Sequence, residues 1–372
     1  NYKVNIIKLD PYLNVDAGTM NPYEHGEVFV TYDGGETDLD IGHYERFTSI
    51  LFSKNNNITS GRIYMELINK EREGLFLGKT IQVIPHLTNE IKNKILELSQ
   101  GFDVVFVEVG GTVGDIEGLP FLEAIRQMSI ENKKRVKFVH LTYVPFLSHV
   151  GELKTKPSQH FIKKLQESGI QPDIIIVRSD IPITNEVRNK IALFSNLLPK
   201  YVINITNLSN IYQIPSLLIQ QNIHKILISA KEIKAKELNN SKWIELNIIL
   251  KEIQKQKNSI NIAIVGKYSN LRDSYKSLLE AIEHASIQNK VKVNTKIIDS
   301  SKYESKLIKK DLVYVDGFII AGGFGVRGIQ GKINVLKYLR ENKIPTIGIC
   351  LGLQLMVIEF FNNVLNIKEA TS

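Results

Sequence analysis

Short runs of β-branched residues alternate along this chain with longer stretches whose apolar positions recur every three or four residues. The first pattern reads as buried strands and the second as amphipathic helices, and their alternation predicts parallel sheets covered by helices on both faces. Strands are expected at 4–9, 80–85, 104–107, 136–143 and 174–177, with helices near 89–98, 120–131, 159–166 and 186–196. A lysine-rich amphipathic stretch over 229–258 contains the only tryptophan, Trp243, and leads into a fresh strand at 261–265, where a domain boundary is expected. From there the order is helix (274–284), strand (291–298), strand (317–320), loop, helix, strand (346–349) and helix (353–361). No internal repeat of ~20 to 50 residues is present.

At 372 residues the chain is too long for one ordinary core, and 43% hydrophobic with 23% charged residues is a globular composition. Cys350 is the single cysteine, which leaves no internal disulfide and no cysteine-rich zinc site, and points to a reducing, cytoplasmic compartment. The net charge of +8 would suit anionic partners, but the lysines are scattered in ones and twos with no basic block. No span reaches the ~18 apolar residues of a membrane helix. Neither nucleic acid nor membrane is an expected partner.

The candidate chemistry sits at strand ends. Gly348-Ile349-Cys350-Leu351-Gly352 leaves a strand and opens a helix, the arrangement in which flanking glycines let a strained backbone lift a nucleophile out of a sheet. A helix N-terminus also favours the thiolate. The strand 317–320 ends in Ala321-Gly322-Gly323-Phe324-Gly325, whose backbone N–H groups suit an oxyanion. A base is missing: of eight histidines only His284 falls beyond the expected domain boundary, well upstream of Cys350. In the first half, strand 104–107 delivers Glu108 and the glycine turn Gly110-Gly111-Thr112-Val113-Gly114-Asp115, a position suited to nucleotide-bound magnesium. Glu36, Asp38 and Asp40 would share one face if their segment is extended. Residues 74–80 nearly spell a phosphate loop, but with one residue too few and ahead of a strand rather than a helix, so Lys79 is expected to be an exposed loop residue. Lys154 and Lys156, just before a helix, make an anion site.

These stretches, together with Lys8-Leu9-Asp10-Pro11-Tyr12, residues 25–30, 36–40, 43–47, 110–117 and 120–128, resemble the CTP synthase family over essentially the whole chain. The resemblance implies an α/β fold of two doubly wound domains with parallel sheets. One is a P-loop-NTPase-like synthetase (amidoligase) domain over 1–228, followed by a linker over 229–258. The other is the N-terminal part of a class I glutamine amidotransferase domain over 259–372. It implies the last step of de novo CTP synthesis, ATP-dependent amination of UTP with ammonia from glutamine, by a homotetramer that uses Mg²⁺, is inhibited by CTP and takes GTP as an allosteric activator. Residue by residue, Cys350 matches the nucleophile, and Asp40 and Glu108 match the Mg²⁺ ligands. Lys8 and Asp40 match the ATP site, with Thr206, Asn207 and Leu208 where the family contacts adenine, although a Lys-Asp pair is common there. Lys154, Thr155, Lys156, Pro157, Ser158, Gln159 and Lys190 match the UTP site. Asp115, Ile116 and Glu117 match the site where CTP inhibits, and Gly323, Leu351, Gly352, Leu353 and Gln354 match glutamine contacts.

The family's phosphate loop would precede Asn1, and its glutaminase His and Glu would follow Ser372, so the 372 residues alone are expected to make no CTP. UTP O4 leaves poorly until phosphorylated, and Cys350 would release ammonia from glutamine through a glutamyl thioester. Two other readings compete: a cobyric-acid-type glutamine amidotransferase, against which the UTP segment speaks, and an inactive truncated subunit that acts through assembly.

Overall fold

The computed structural model describes residues 2–132, 135–229, 240–269, 271–305 and 312–371. It divides into two compact units, Asn1–Thr19 with Val30–Asn247, and Met20–Phe29 with Ile248–Ser372. Much of the stretch expected to connect them, 230–239, lies outside the described residues, and the helix Ser241–Lys255 follows it.

In the first unit β1 (Val4–Asp10) is followed by α1 (Leu39–Thr48), β2 (Asn57–Thr59), α2 (Ser60–Arg72), α3 (Thr88–Ser99), β3 (Val104–Val109) and α4 (Leu119–Glu131). Then come β4 (Val139–Val144), α5 (Lys156–Glu167), β5 (Ile174–Ser179), α6 (Asn185–Phe194) and β6 (Val202–Thr206). The strands pair in parallel as two three-stranded sheets, β2-β1-β3 and β6-β5-β4. Helices start where short polar side chains satisfy orphan N–H groups: Asp38 accepts from Asp40 N (2.9 Å) ahead of α1, and Thr59 from Arg62 N (3.0 Å) ahead of α2. Ile7 and Leu9 of β1, Ile58, Ile63, Ile91 and Phe121 bury the core of the first sheet, and Val144, Ile162, Ile175, Val177 and Val202 that of the second.

Two expectations fail here. No strand forms over 80–85; the chain turns at Gly74 and Gly78, and Val83–Leu87 kink, with Ile84 extended at φ −109° and ψ 125°, before feeding α3. Pro85 in that run has no N–H for a ladder, and a periodicity of apolar residues over six positions fits either element. The 36–40 segment is extended only at Glu36–Thr37; Asp38 caps α1 and Asp40 lies within it, so the three acids do not share a strand face.

The second unit holds β7 (Ile260–Gly266), α7 (Lys276–Asn289), β8 (Val293–Asp299), β9 (Gly317–Ile320), α8 (Ile329–Glu341), β10 (Thr346–Gly348) and α9 (Leu351–Asn363). Its sheet is parallel throughout in the order β8-β7-β9-β10, with Val265 opposite Ile320 and Ile320 opposite Gly348. Ala263, Val265, Phe318, Ile320, Val335, Leu339 and Leu355 form its core. The crossover β7 to β9 to β10 puts the ends of β9 and β10 side by side, and both glycine-rich loops leave from there.

Candidate functional site

At the carboxyl end of the first sheet the parallel register sets Lys8 of β1 opposite Glu108 of β3. The Lys8 Nζ is 2.5 Å from Asp40 Oδ2, 3.0 Å from Glu108 Oε1 and 3.8 Å from Asp10 Oδ1. Burial pulls the ammonium towards neutrality, but the charges of Glu108, Asp10 and Asp40 outweigh it and hold the group above its usual range. Burial lifts Asp10 to about 7 against the pull of Lys8, and burial also raises Asp38. Tyr44, one helical turn after Asp40, donates its hydroxyl to Glu108 Oε2; burial and then the Glu108 charge push its phenol up. Three of the expected residues, Lys8, Asp40 and Glu108, are therefore brought together. Asp10 and Tyr44 join them unforeseen, although the i, i+2 spacing on β1 and the i, i+4 spacing on α1 carried the signal.

The expected UTP segment divides by what its side chains do. Lys156 and Pro157 open α5 and are exposed, and Lys154 pairs with Glu152 at 2.6 Å. Thr155, Ser158 and Gln159 are buried and bonded within the protein, Ser158 Oγ to Tyr143 O (2.7 Å) and Gln159 Nε2 to Thr155 Oγ1 (2.9 Å), so they shape the segment. Lys190 is exposed on α6, and Asp115, Ile116 and Glu117 are exposed after β3. Along β4 and towards the carboxyl ends of β5 and β6, an open cavity of about 540 Å³ is lined by Leu141, Thr142, Tyr143, Arg178, Asp180 and Asn207. Asn207 donates to Asp180 there at 2.9 Å, and Thr206 and Leu208 flank it in the chain. Lys79 is exposed in its turn.

In the second unit Cys350 stands between β10 and α9 with φ 54° and ψ −119°, a left-handed strain for a residue with a side chain, and its thiol is exposed. Its flanking glycines are required by space. A Cβ on Gly352 would lie 1.9 Å from the Ile320 carbonyl oxygen, and one on Gly348 2.6 Å from Gly352 C and Leu353 N. Gly322 is packed against the thiol, since a Cβ there would lie 3.3 Å from Cys350 Cβ and 3.8 Å from Sγ. Gly323 has φ 145°. Among the described residues nothing accepts from the N–H groups of Gly322 and Gly323. Leu353 and Gln354 are exposed on the first turn of α9, where their N–H groups bond to Cys350 O at 3.0 and 3.2 Å; Leu351 is half-buried and Gly352 buried. His284 is exposed on α7. Among the described residues no three His, Cys, Asp or Glu side chains are grouped to hold a metal ion, and no helix is long and apolar enough to cross a membrane.

A strained cysteine at a strand-to-helix turn beside unpartnered loop N–H groups defines a class I glutamine amidotransferase unit, here following an α/β unit with a carboxylate-ringed lysine. Residues 270–371 match the family model for class I glutamine amidotransferases, and residues 1–233 that for the CTP synthase N-terminus. A CTP synthase from Hydrogenobaculum sp. (strain Y04AAS1) is 56% identical over 370 residues, 99% of this chain and 68% of that protein. One from Aquifex aeolicus (strain VF5) is 51% identical over 372 residues, 100% of this chain and 69% of that protein. The glutaminase domain of Trypanosoma brucei CTPS, solved with bound acivicin, is 35% identical, covering 30% of this chain and 48% of that one at a TM-score of 0.28. The chain belongs to the CTP synthase family.

Proposed function

We propose that this chain carries the amidoligase and the glutaminase cysteine of an enzyme that aminates UTP to CTP, with ATP as the activating co-substrate and glutamine as the nitrogen source. The division 1–228 amidoligase, 229–258 linker and 259–372 glutaminase is part of this reading. The observation that carries it is Cys350, strained between two glycines that tolerate no side chain, in a chain whose other unit converges Lys8, Asp40 and Glu108 at a sheet's carboxyl end. The family match favours CTP synthesis over the cobyric-acid-type alternative.

In this reading Cys350 Sγ attacks the glutamine amide, while Gly323, Leu351, Gly352, Leu353 and Gln354 line the amino acid. The half-buried Lys154 and the exposed Lys156 and Lys190 face the phosphates of UTP. Asp115, Ile116 and Glu117 belong to the site of CTP inhibition. Lys8 meets the ATP phosphates, and Asn207, which lines the cavity, contacts adenine together with its chain neighbours Thr206 and Leu208. Asp40 and Glu108 present only hard oxygen donors and already hold one cation between them, the Lys8 ammonium, which fits Mg²⁺; that ion commonly takes one or two carboxylates and completes its shell with substrate phosphates. Bound there, Mg²⁺ would offset the negative charge of the phosphoryl group. Tyr44 orients Glu108 through its hydroxyl. A cytoplasmic homotetramer with GTP activation completes the reading.

The test is Cys350→Ala in the chain extended to the length of its relatives. Glutamine-dependent CTP formation should vanish, and ammonia-dependent formation should persist, because the thiol serves only ammonia release. Equal loss with both nitrogen sources would refute this division of labour.

A further inference from the structure

Lys332, in the first turn of α8, is 1% exposed. Its Nζ donates to the Ala321 carbonyl at 2.6 Å and to the Gly322 carbonyl at 3.2 Å, and among the described residues no carboxylate pairs with it. Three features of this placement are unfavourable to a cation. The side chain is desolvated, it sits at the positive end of a helix, and Lys267 adds a like charge. Burial, then Lys267, bring the ammonium down to about 8, opposed by Cys350. A lysine held in such a place is explained by what its two hydrogen bonds do to the loop.

In a trans peptide the C=O and N–H point in opposite directions. The Ala321 carbonyl shares its plane with the Gly322 N–H, and the Gly322 carbonyl with the Gly323 N–H. Drawing both carbonyls inwards to one buried ammonium therefore turns both N–H groups outwards, on a loop that packs against Cys350 Sγ and on which they meet no acceptor. We propose that Lys332 is a positioning residue for the chemistry of Cys350: it pins the 321–323 backbone so that the Gly322 and Gly323 N–H groups are held ready for the oxyanion of a glutamine-type carbonyl. The proposal rests on the reading of Cys350 as the glutaminase nucleophile. In the step it serves, Cys350 Sγ adds to the amide carbon, the carbonyl electron pair moves to oxygen, and the collapse of that oxyanion expels ammonia. The thiol's proton leaves on that nitrogen. Lys332 touches neither substrate nor thiol in this scheme; it acts through the two peptide planes.

The experiment compares two electrophiles on the 372-residue chain, with labelling of Cys350 followed by mass spectrometry. Iodoacetamide alkylates the thiolate by direct displacement of iodide and needs no oxyanion donors. A chloromethyl ketone analogue of glutamine also ends in one C–S bond made and chloride lost, but its ketone oxygen gains charge on the way and draws on the loop N–H groups. Lys332→Met should slow ketone labelling about tenfold, less than the ~100-fold or more of losing a donor outright. Iodoacetamide labelling should stay within about twofold, and Lys332→Arg, which still donates to both carbonyls, should recover most of the ketone rate. Unchanged ketone labelling in Lys332→Met, or equal slowing with both reagents, would overturn the role of Lys332. If Lys332→Met does not melt cooperatively, Lys332→Arg decides: ketone labelling near the parent's rate supports the positioning, and its selective loss overturns it. A parent chain that iodoacetamide labels and the glutamine analogue does not would instead sink the reading of Cys350 itself, and the proposal with it.

Discussion

Gly352→Ala places one methyl group where the backbone of β9 already is. The added Cβ would start 1.9 Å from the Ile320 carbonyl oxygen and 2.7 Å from its carbon. An ordinary C···O contact is about 3.3 Å, so the start of α9 and the end of β9 must part by roughly 1.4 Å. Neither side yields cheaply: Ile320 is fully buried and paired with Val265 and Gly348, and Ile349 N donates to Ile320 O at 3.0 Å. Overpacking of this kind costs about 1 to 3 kcal/mol, and the upper end applies because the obstruction is backbone. For a unit of this size that is a fall in melting temperature of roughly 10 °C, read by calorimetry on the 372-residue chain. The same parting moves Cys350 relative to the Gly322 loop by about an ångström, enough to cost about 100-fold in glutamine-dependent rate, with the ammonia-dependent rate in the extended enzyme as control. A Gly352→Ala chain that melts within about 2 °C of the parent, with glutamine-dependent turnover intact, would refute the claim that this glycine is required by the packing of the elbow.

Asp40→Asn or Glu108→Gln should abolish CTP formation from either nitrogen source in the extended enzyme, because activation of UTP precedes amination; full ammonia-dependent activity in either variant would remove these acids from the ATP site. His140, buried on β4 with an unpartnered Nε2, is lowered by burial to about 4. The unfolded chain takes up that proton below about 6.5 while the folded chain does not, so stability is full above about pH 6.5 and declines towards pH 4, by on the order of 3 kcal/mol in all. Urea melts at pH 7 and pH 5 should show His140→Leu losing less stability on acidification than the parent, and identical losses would assign the acid sensitivity elsewhere.

The parallel α/β architecture was legible because strands such as β1 and β7 are unbroken β-branched runs, and the helices between them keep a three-to-four spacing over a dozen residues. The Cys350 elbow was legible because two glycines around a lone cysteine between a strand and a helix leave few other uses. What the sequence hid was hidden for local reasons. The apolar run before Pro85 has no period long enough to distinguish a strand from a helical turn. Asp38 spends its carboxylate on a helix N-terminus, which no alternation of acids reveals. Lys332 lies on the face that Val335, Leu336 and Leu339 define at i+3, i+4 and i+7, so the spacing pointed inwards, and it is hidden only because a lysine is seldom fully buried.

Two of the buried lysines, Lys8 and Lys332, show how the same side chain serves different ends. Lys8 is ringed by Asp10, Asp40 and Glu108, so its charge is more than matched, and the surplus negative charge leaves the site open to a further cation. Lys332 has only carbonyl dipoles, so its charge is under-matched and its value lies in geometry. Removing Lys8 would leave the buried Asp10 carboxyl, and the more open Asp40 and Glu108 beside it, without a cation between them, a loss that falls on folding as well as on function. Removing Lys332 relieves an unfavourable charge and frees a loop, so stability and reactivity should part company there. Lys332→Met is expected to keep or raise the melting temperature of the chain while slowing the carbonyl-dependent labelling of Cys350, a combination that a purely structural lysine would not produce.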